Sequence, residues 1–324
     1  MNPAFSVLVF TVAAGAGYGL LSWLALLLLL PTLSQGAAPL GSGELLTGGL
    51  LGLVLVTLGL LSSTLHLGNP KNAWRSFMRF RSSWLSREAV CAVLFYPLAL
   101  LWLAAALGWL PLGEGAVAAL SLLTLLLAQL IVFTTGMIYA CLKTIRHWHT
   151  PLTPVNYLMI GLCTGLLLLL AVRGLVGDAG IGRLGEIAPM LLAAGAIAKW
   201  LYFRHARLPG KSLNDATGLG DGARSASTAG RVRLLDQGHT AGTFLTDEFD
   251  YRVTLARIAG LRLLVAALLF AVPILLLSSA STGDGGGGTL LLAALAGLAG
   301  ALVERWLFFA EARHVVNLYH GRPA

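Results

Sequence analysis

Charge is what this sequence has least of. Charged residues make up 11% of the 324-residue chain, hydrophobic residues 57%, and the mean hydropathy is +0.80. A soluble domain of this length cannot carry that composition, so the class is a polytopic α-helical membrane protein. Cysteine is also scarce. Cys91, Cys141 and Cys163 lie far apart with no CxxC between them. That argues against an iron–sulfur cluster or zinc site within the protein, and gives no sign of a disulfide framework. No stretch alternates apolar and polar residues with period two, which excludes a membrane barrel. No charge precedes Glu44. The first apolar run therefore lacks a basic flank, is too long for a signal peptide, and is expected to stay as a helix.

What is present is a series of apolar runs bounded by charges. The spans are expected at about 5–30, 45–66, 89–111, 115–140, 154–173, 186–203, 258–279 and 288–310. Each reaches the roughly 20 residues that cross a bilayer, the sixth only marginally because Lys199 lies inside it. Lys199 is expected to snorkel to the interface. The eighth is expected to continue as helix through "FFAEARHVV". The fold class is thus all-α, a single membrane domain over 1–324 with one long loop at 204–256. The first half of that loop is Gly-, Ser- and Ala-rich. The second half, "VRLLDQGHTAGTFLTDEFDYRV", is expected to be ordered. "GLGDG" follows no strand and reads as a turn-rich segment.

Eight spans put both termini on one face. Of the 22 Lys and Arg, all but Arg173 and Arg183 belong to that face or to helix ends that point toward it. The positive-inside rule then places both termini in the cytoplasm, in the cytoplasmic (inner) membrane of a cell. The same asymmetry produces the formal net charge of +8. Nucleic-acid binding is a poor explanation of it, because the cations are spread over loop ends with no recognition motif beside them.

Chemistry concentrates in "STLHLGNPKNAWRSFMRFRSSWLSRE". His66 closes the second apolar run and Glu88 opens the third, so a hairpin brings both to the same membrane edge. Ionisable groups there are functional candidates, and a His with a partly buried Glu suits proton exchange at the bilayer surface. The plainer reading also stands: His66 caps the last carbonyls, Ser86 is an N-cap, and Glu88 complements the helix dipole. Between them, Trp74, Phe77, Phe80 and Trp84 interleave with Lys71, Arg75, Arg79 and Arg81. That is an amphipathic interfacial helix, facing lipid or a partner. Gly68 and Pro70 turn the backbone into it.

None of the seven histidines (66, 147, 149, 205, 239, 314, 320) sits in mid-span, which serves a bis-histidine haem poorly. Glu304 and Glu311 share a helix face with His314 beyond them. They read either as a salt-bridged helix end with Arg305 and Arg313 or as a route for protons. A secondary transporter is the alternative class. It would keep ionisable residues at mid-membrane, where this sequence shows chiefly Gln129, Thr134 and Thr135. A scaffold that only assembles a complex is a third reading.

Four motifs in order, "HLGNPKNAWR…SSWLSRE", "GMIYACLKTIRHWHTPLTP", "RLLDQGHT…DEFDYRV" and "ERWLFFAEARHVVNLYH", resemble the membrane-anchor subunit of dimethyl-sulfoxide reductase-type molybdoenzymes over essentially the whole sequence. The resemblance implies an eight-helix anchor without haem, iron–sulfur cluster or molybdenum of its own. It would oxidise menaquinol in anaerobic respiration. Electrons would pass to a four-cluster iron–sulfur subunit and on to a catalytic subunit with a molybdopterin cofactor. The family's quinol-site histidine corresponds to His66 and its functional glutamate to Glu88. Gly68, Arg75, Trp84, Ser86 and Arg87 are then candidates for shaping the pocket or docking a partner.

Overall fold

The structure is a computed structural model that describes residues 3–34, 39–65, 69–176, 181–208, 210, 212–217, 232–236, 254–281 and 286–321. Eight of its helices are long and apolar enough to cross a membrane: α1 Phe5–Leu29, α2 Ser42–Thr64, α3 Trp84–Ala106, α4 Glu114–Ala140, α5 Leu152–Val176, α6 Gly182–Ala206, α7 Leu255–Ala280 and α8 Gly287–Ala310. No strand occurs among the described residues. Lipid offers the backbone no hydrogen-bond partner, so apolar runs of this length satisfy their own amides and carbonyls as helix.

Two helices form the centre. The most apolar stretches of α1 and α5 are 72% and 78% buried, against 28–39% in the other six. They cross through paired small-residue motifs, Gly15/Gly19 on α1 and Gly161/Gly165 on α5. A Cβ on Gly19 would sit 1.9 Å from the Gly161 carbonyl oxygen, and one on Gly165 would sit 2.2 Å from the Gly19 carbonyl carbon. Only glycine allows this approach, which dispersion and backbone proximity then reward. The Trp23 indole reinforces it by donating to the Leu162 carbonyl at 2.9 Å, and the Gln129 amide ties α4 to α1 by donating to the Ser22 hydroxyl at 2.7 Å. Around this pair, α2 and α4 pack on α1, α6 and α8 pack on α5, α3 packs on α4, and α7 packs on α8.

Helix α3 begins at Trp84, several residues before the expected 89, and Glu88 lies inside it. The Ser83 hydroxyl accepts from the Ser86 amide at 3.4 Å, so Ser83 rather than Ser86 is the N-cap. Gly108, at φ +75°, supplies the left-handed residue that ends the helix. The Pro70–Arg79 segment is helical as expected, but of 3-10 type. With three residues per turn, Trp74, Phe77 and Phe80 stack into one exposed ridge. Helix α8 stops at Ala310 instead of running on through "EARHVV". The backbone turns there because the His314 ring accepts from the Val316 amide at 3.0 Å and the Val315 amide reaches the Thr144 carbonyl at 3.0 Å. A short 3-10 turn, Val315–His320, follows.

Two helices carry π-helical stretches, Phe10–Ala14 in α1 and Ala266–Ala271 in α7. Such bulges open a helix locally and gather at functional sites. On the face opposite the basic one, Arg173 lies 3.8 Å from Glu44, and both are buried. One of the two cations outside the basic face is therefore matched by an anion.

Candidate functional site at the basic face

Glu88 is buried, only 4% exposed. It sits one turn into α3, about 6 Å from the helix start at 1.5 Å per residue. The Thr135 hydroxyl on α4 donates to its Oε1, and also reaches the Ile131 carbonyl at 2.9 Å. A capping acid would face solvent at the first turn. This one points into the bundle, which removes the simple dipole explanation and leaves a buried carboxyl that needs a purpose.

Thr135 also lines a small cavity of about 20 Å³, bounded by the π-helical stretch of α1 and by Tyr18, Tyr157 and Arg305. That is room for a water molecule and not for an aromatic ring. Its polar lining fits water: the hydroxyls of Tyr18 and Tyr157 and Nη1 of Arg305 are buried without a hydrogen-bond partner among the described residues. The Arg305 guanidinium lies 3.6 Å from the centre of the Tyr157 ring.

The other residues of the basic segment have distinct positions. Trp84 is half-buried and meets Phe133 edge-on at 6.1 Å. Arg87 stacks on Trp84 at 4.2 Å and donates to the Phe80 and Arg81 carbonyls at 3.0 and 2.8 Å. It therefore clamps the 3-10 segment onto α3 and does not pair with Glu88. Arg75 is exposed, beside the Trp74 ring at 5.7 Å. Ser86 is buried, with its hydroxyl unpartnered among the described residues. His66 and Gly68 lie outside the described residues, as does most of the loop half expected to be ordered.

A second cluster contains Glu304, Glu311 and Arg305, which sequence spacing already singles out, together with Lys199 and Arg262, which it does not. Lys199 does not snorkel. It is 2% exposed, its ammonium pairs with Glu304 on α8, and it lies 4.0 Å from the Tyr202 ring centre. Glu304 also faces Arg305, at 3.4 Å. Glu311 pairs with Arg262 on α7 at 2.7 Å, not with Arg313. Burial pushes the Glu311 carboxyl above its ordinary range, against the pull of Arg262 and Lys199. The Lys199–Glu304 and Arg262–Glu311 pairs join different helices, which no one-helix spacing reveals. The available signal is the adjacent pair Glu304–Arg305 in an otherwise apolar run.

Between α6 and α7 a second, larger cavity of about 340 Å³ opens beside the π-helical stretch of α7. Lys199, Arg204, Arg207 and Arg262 border it, with Phe203 and Phe270 among its apolar walls.

The protein is similar over its whole length to known proteins. Residues 1–310 match the family described as DMSO reductase anchor subunit (DmsC). A sulfite dehydrogenase subunit of Allochromatium vinosum is 35% identical over 337 aligned residues, with 100% of both proteins covered. A subunit of the anaerobic dimethyl sulfoxide reductase of Haemophilus influenzae is 32% identical, over 36% of this protein and 41% of that one. Its Escherichia coli counterpart is 30% identical, over 38% and 44%. These matches agree with the motif resemblance and with the eight helices. The protein therefore belongs to the DMSO reductase anchor subunit family and is the membrane anchor of a complex of that type.

Proposed function

We propose that this anchor exchanges electrons between membrane menaquinol and an iron–sulfur partner subunit, which connects to a molybdopterin catalytic subunit, with Glu88 as the proton-exchanging group. The observation that carries this reading is a carboxyl buried inside the bundle, one turn from the basic face, held by one hydroxyl and backed by a cavity of water size. Oxidation of a quinol gives quinone, two electrons and two protons. The electrons leave to a cluster on the partner, and the protons need acceptors within reach of the ring. Glu88 is one. His66, matched through the family resemblance, is the other. The cavity is too small for the ring, so the ring docks from the lipid side against the Trp84–Arg87 turn, and Glu88 reaches it directly or through water. By the positive-inside rule this face is cytoplasmic, and so are both termini. The exposed Trp74/Phe77/Phe80 ridge with its cations lies along the interface, where it engages lipid headgroups or the partner.

One observation favours a second direction of flow. The relative matched end to end is named a sulfite dehydrogenase subunit, and a dehydrogenase complex must deliver electrons onward. The same site then reduces quinone, and Glu88 supplies a proton instead of taking one. The test uses the assembled complex with Glu88→Gln. Exchange with reduced or oxidised 2,3-dimethyl-1,4-naphthoquinone should fall about a hundredfold, while turnover with a soluble dye at the catalytic subunit is unchanged. Wild-type naphthoquinol rates in that variant would remove Glu88 from the reaction. The ratio of forward to reverse rates in the unsubstituted complex decides the direction.

A further inference from the structure

We propose that the buried Lys199–Glu304 pair is a proton relay connecting the Glu88 site to the cavity between α6 and α7. The inference rests on the reading of Glu88 as the proton-exchanging group, and its test is arranged so that the two can fail separately.

Its two ends are both defined by the fold. At the inner end, the water-sized cavity touches Thr135, the hydroxyl that holds Glu88, and reaches Arg305 on α8. At the outer end, the larger cavity touches Lys199 on α6 and Arg262 on α7. Between them stand Arg305, Glu304 and Lys199. Glu304 presents Oε2 toward Arg305 and Oε1 toward Lys199. Neither Oε2 nor Nη1 of Arg305, a residue that lines the inner cavity, has a hydrogen-bond partner among the described residues. Each cavity also adjoins a π-helical stretch, Phe10–Ala14 at the inner one and Ala266–Ala271 at the outer. Local widening of a helix thus occurs at both ends of the path.

Chemistry makes the pair suitable. A proton that leaves the inner cavity through water past Arg305 is taken up by Glu304 at Oε2. Lys199 then releases one proton from Nζ to water in the outer cavity, and the pair becomes a neutral amine beside a carboxylic acid. Transfer of the proton from Glu304 back to Lys199 restores the ion pair. One proton enters and one leaves, and the net charge of the pair is the same before and after. Arg305 stays protonated throughout and holds Glu304 in place. A fully buried charge pair gives little stability over apolar packing, so its presence here fits a transfer role better than a structural one.

The experiment compares Lys199→Arg, Lys199→Met and Glu88→Gln in the assembled complex, measuring naphthoquinone formation from reduced 2,3-dimethyl-1,4-naphthoquinone and dye-driven turnover. Arginine keeps the charge and the contact with Glu304, and the outer cavity has room for it, but it cannot release a proton. Methionine removes the proton while Arg305 still compensates Glu304. The relay predicts that both Lys199 variants lose about tenfold or more in kcat, with KM for the naphthoquinol and dye turnover unchanged. Wild-type kcat in Lys199→Arg beside a slow Lys199→Met shows a purely structural ion pair and overturns the relay. Wild-type kcat in both, with Glu88→Gln inactive, overturns the relay and leaves the Glu88 site standing. An active Glu88→Gln overturns both.

Discussion

Removing Glu304 should damage this protein more than removing its partner Lys199. Three buried charges meet at one point: Lys199, Glu304 and Arg305, with Glu304 in contact with both cations. Their formal sum is +1. Lys199→Met leaves Glu304 facing Arg305 at 3.4 Å, a neutral pair. Its main loss is the desolvated ammonium over the Tyr202 ring, worth about 2 kcal/mol. Glu304→Leu instead leaves two cations with no anion between them. Breaking a buried pair in this way costs about 3–5 kcal/mol, because the uncompensated charge stays desolvated. At roughly 2–4 °C per kcal/mol, as for domains of 150–250 residues, Glu304→Leu should lower the melting midpoint by about 6–20 °C and Lys199→Met by about 4–8 °C. The assay is the fraction of purified complex that stays monodisperse in gel filtration after a temperature series. If Lys199→Met melts as low as Glu304→Leu, then Arg305 does not compensate Glu304 and the charge accounting of this cluster is wrong.

Three other perturbations follow from the geometry. Gly19→Val places a Cβ 1.9 Å from the Gly161 carbonyl oxygen, so it should prevent α1 and α5 from crossing and abolish accumulation of the protein in membranes, measured by immunoblot. Replacing Trp74, Phe77 and Phe80 together by Ser removes the exposed 3-10 ridge; it should leave the spans intact but weaken retention of the partner subunits, or binding to anionic lipid vesicles, several-fold, as read by co-purification and vesicle flotation. His147 lies between helices α4 and α5, where burial, with Arg313 and Arg146 nearby, lowers its imidazole pKa from 6.5 to about 4. The unfolded state therefore takes up this proton first, so the contribution is fully present above pH about 6.5 and drains away as pH falls toward 4. A pH series of melting midpoints should show that loss, and His147→Gln should flatten it.

The spans are legible in the sequence because lipid leaves a long apolar run no conformation but helix. Sequence is less informative wherever a charge marks a boundary. Spacing alone puts Glu88 at the edge of α3, yet Thr135, from a different helix, holds it inside. Spacing alone sends Lys199 toward the interface, yet Glu304, more than 100 positions away, holds it in the core. In each case the partner lies on another helix, and only the three-dimensional crossing brings the two together. The same holds for the centre of the bundle. Gly15/Gly19 and Gly161/Gly165 are both plain small-residue motifs, but nothing in their spacing says that they face each other. The aromatic segment is the opposite case. Its aromatics interleaved with cations already mark a local interfacial helix, although spacings of three, three and four from Trp74 to Trp84 do not distinguish the 3-10 form it adopts. In a membrane bundle, then, local patterns report the local element. An ionisable residue in or beside an apolar run instead signals a partner on another helix, because an isolated charge in that position would be too costly to keep.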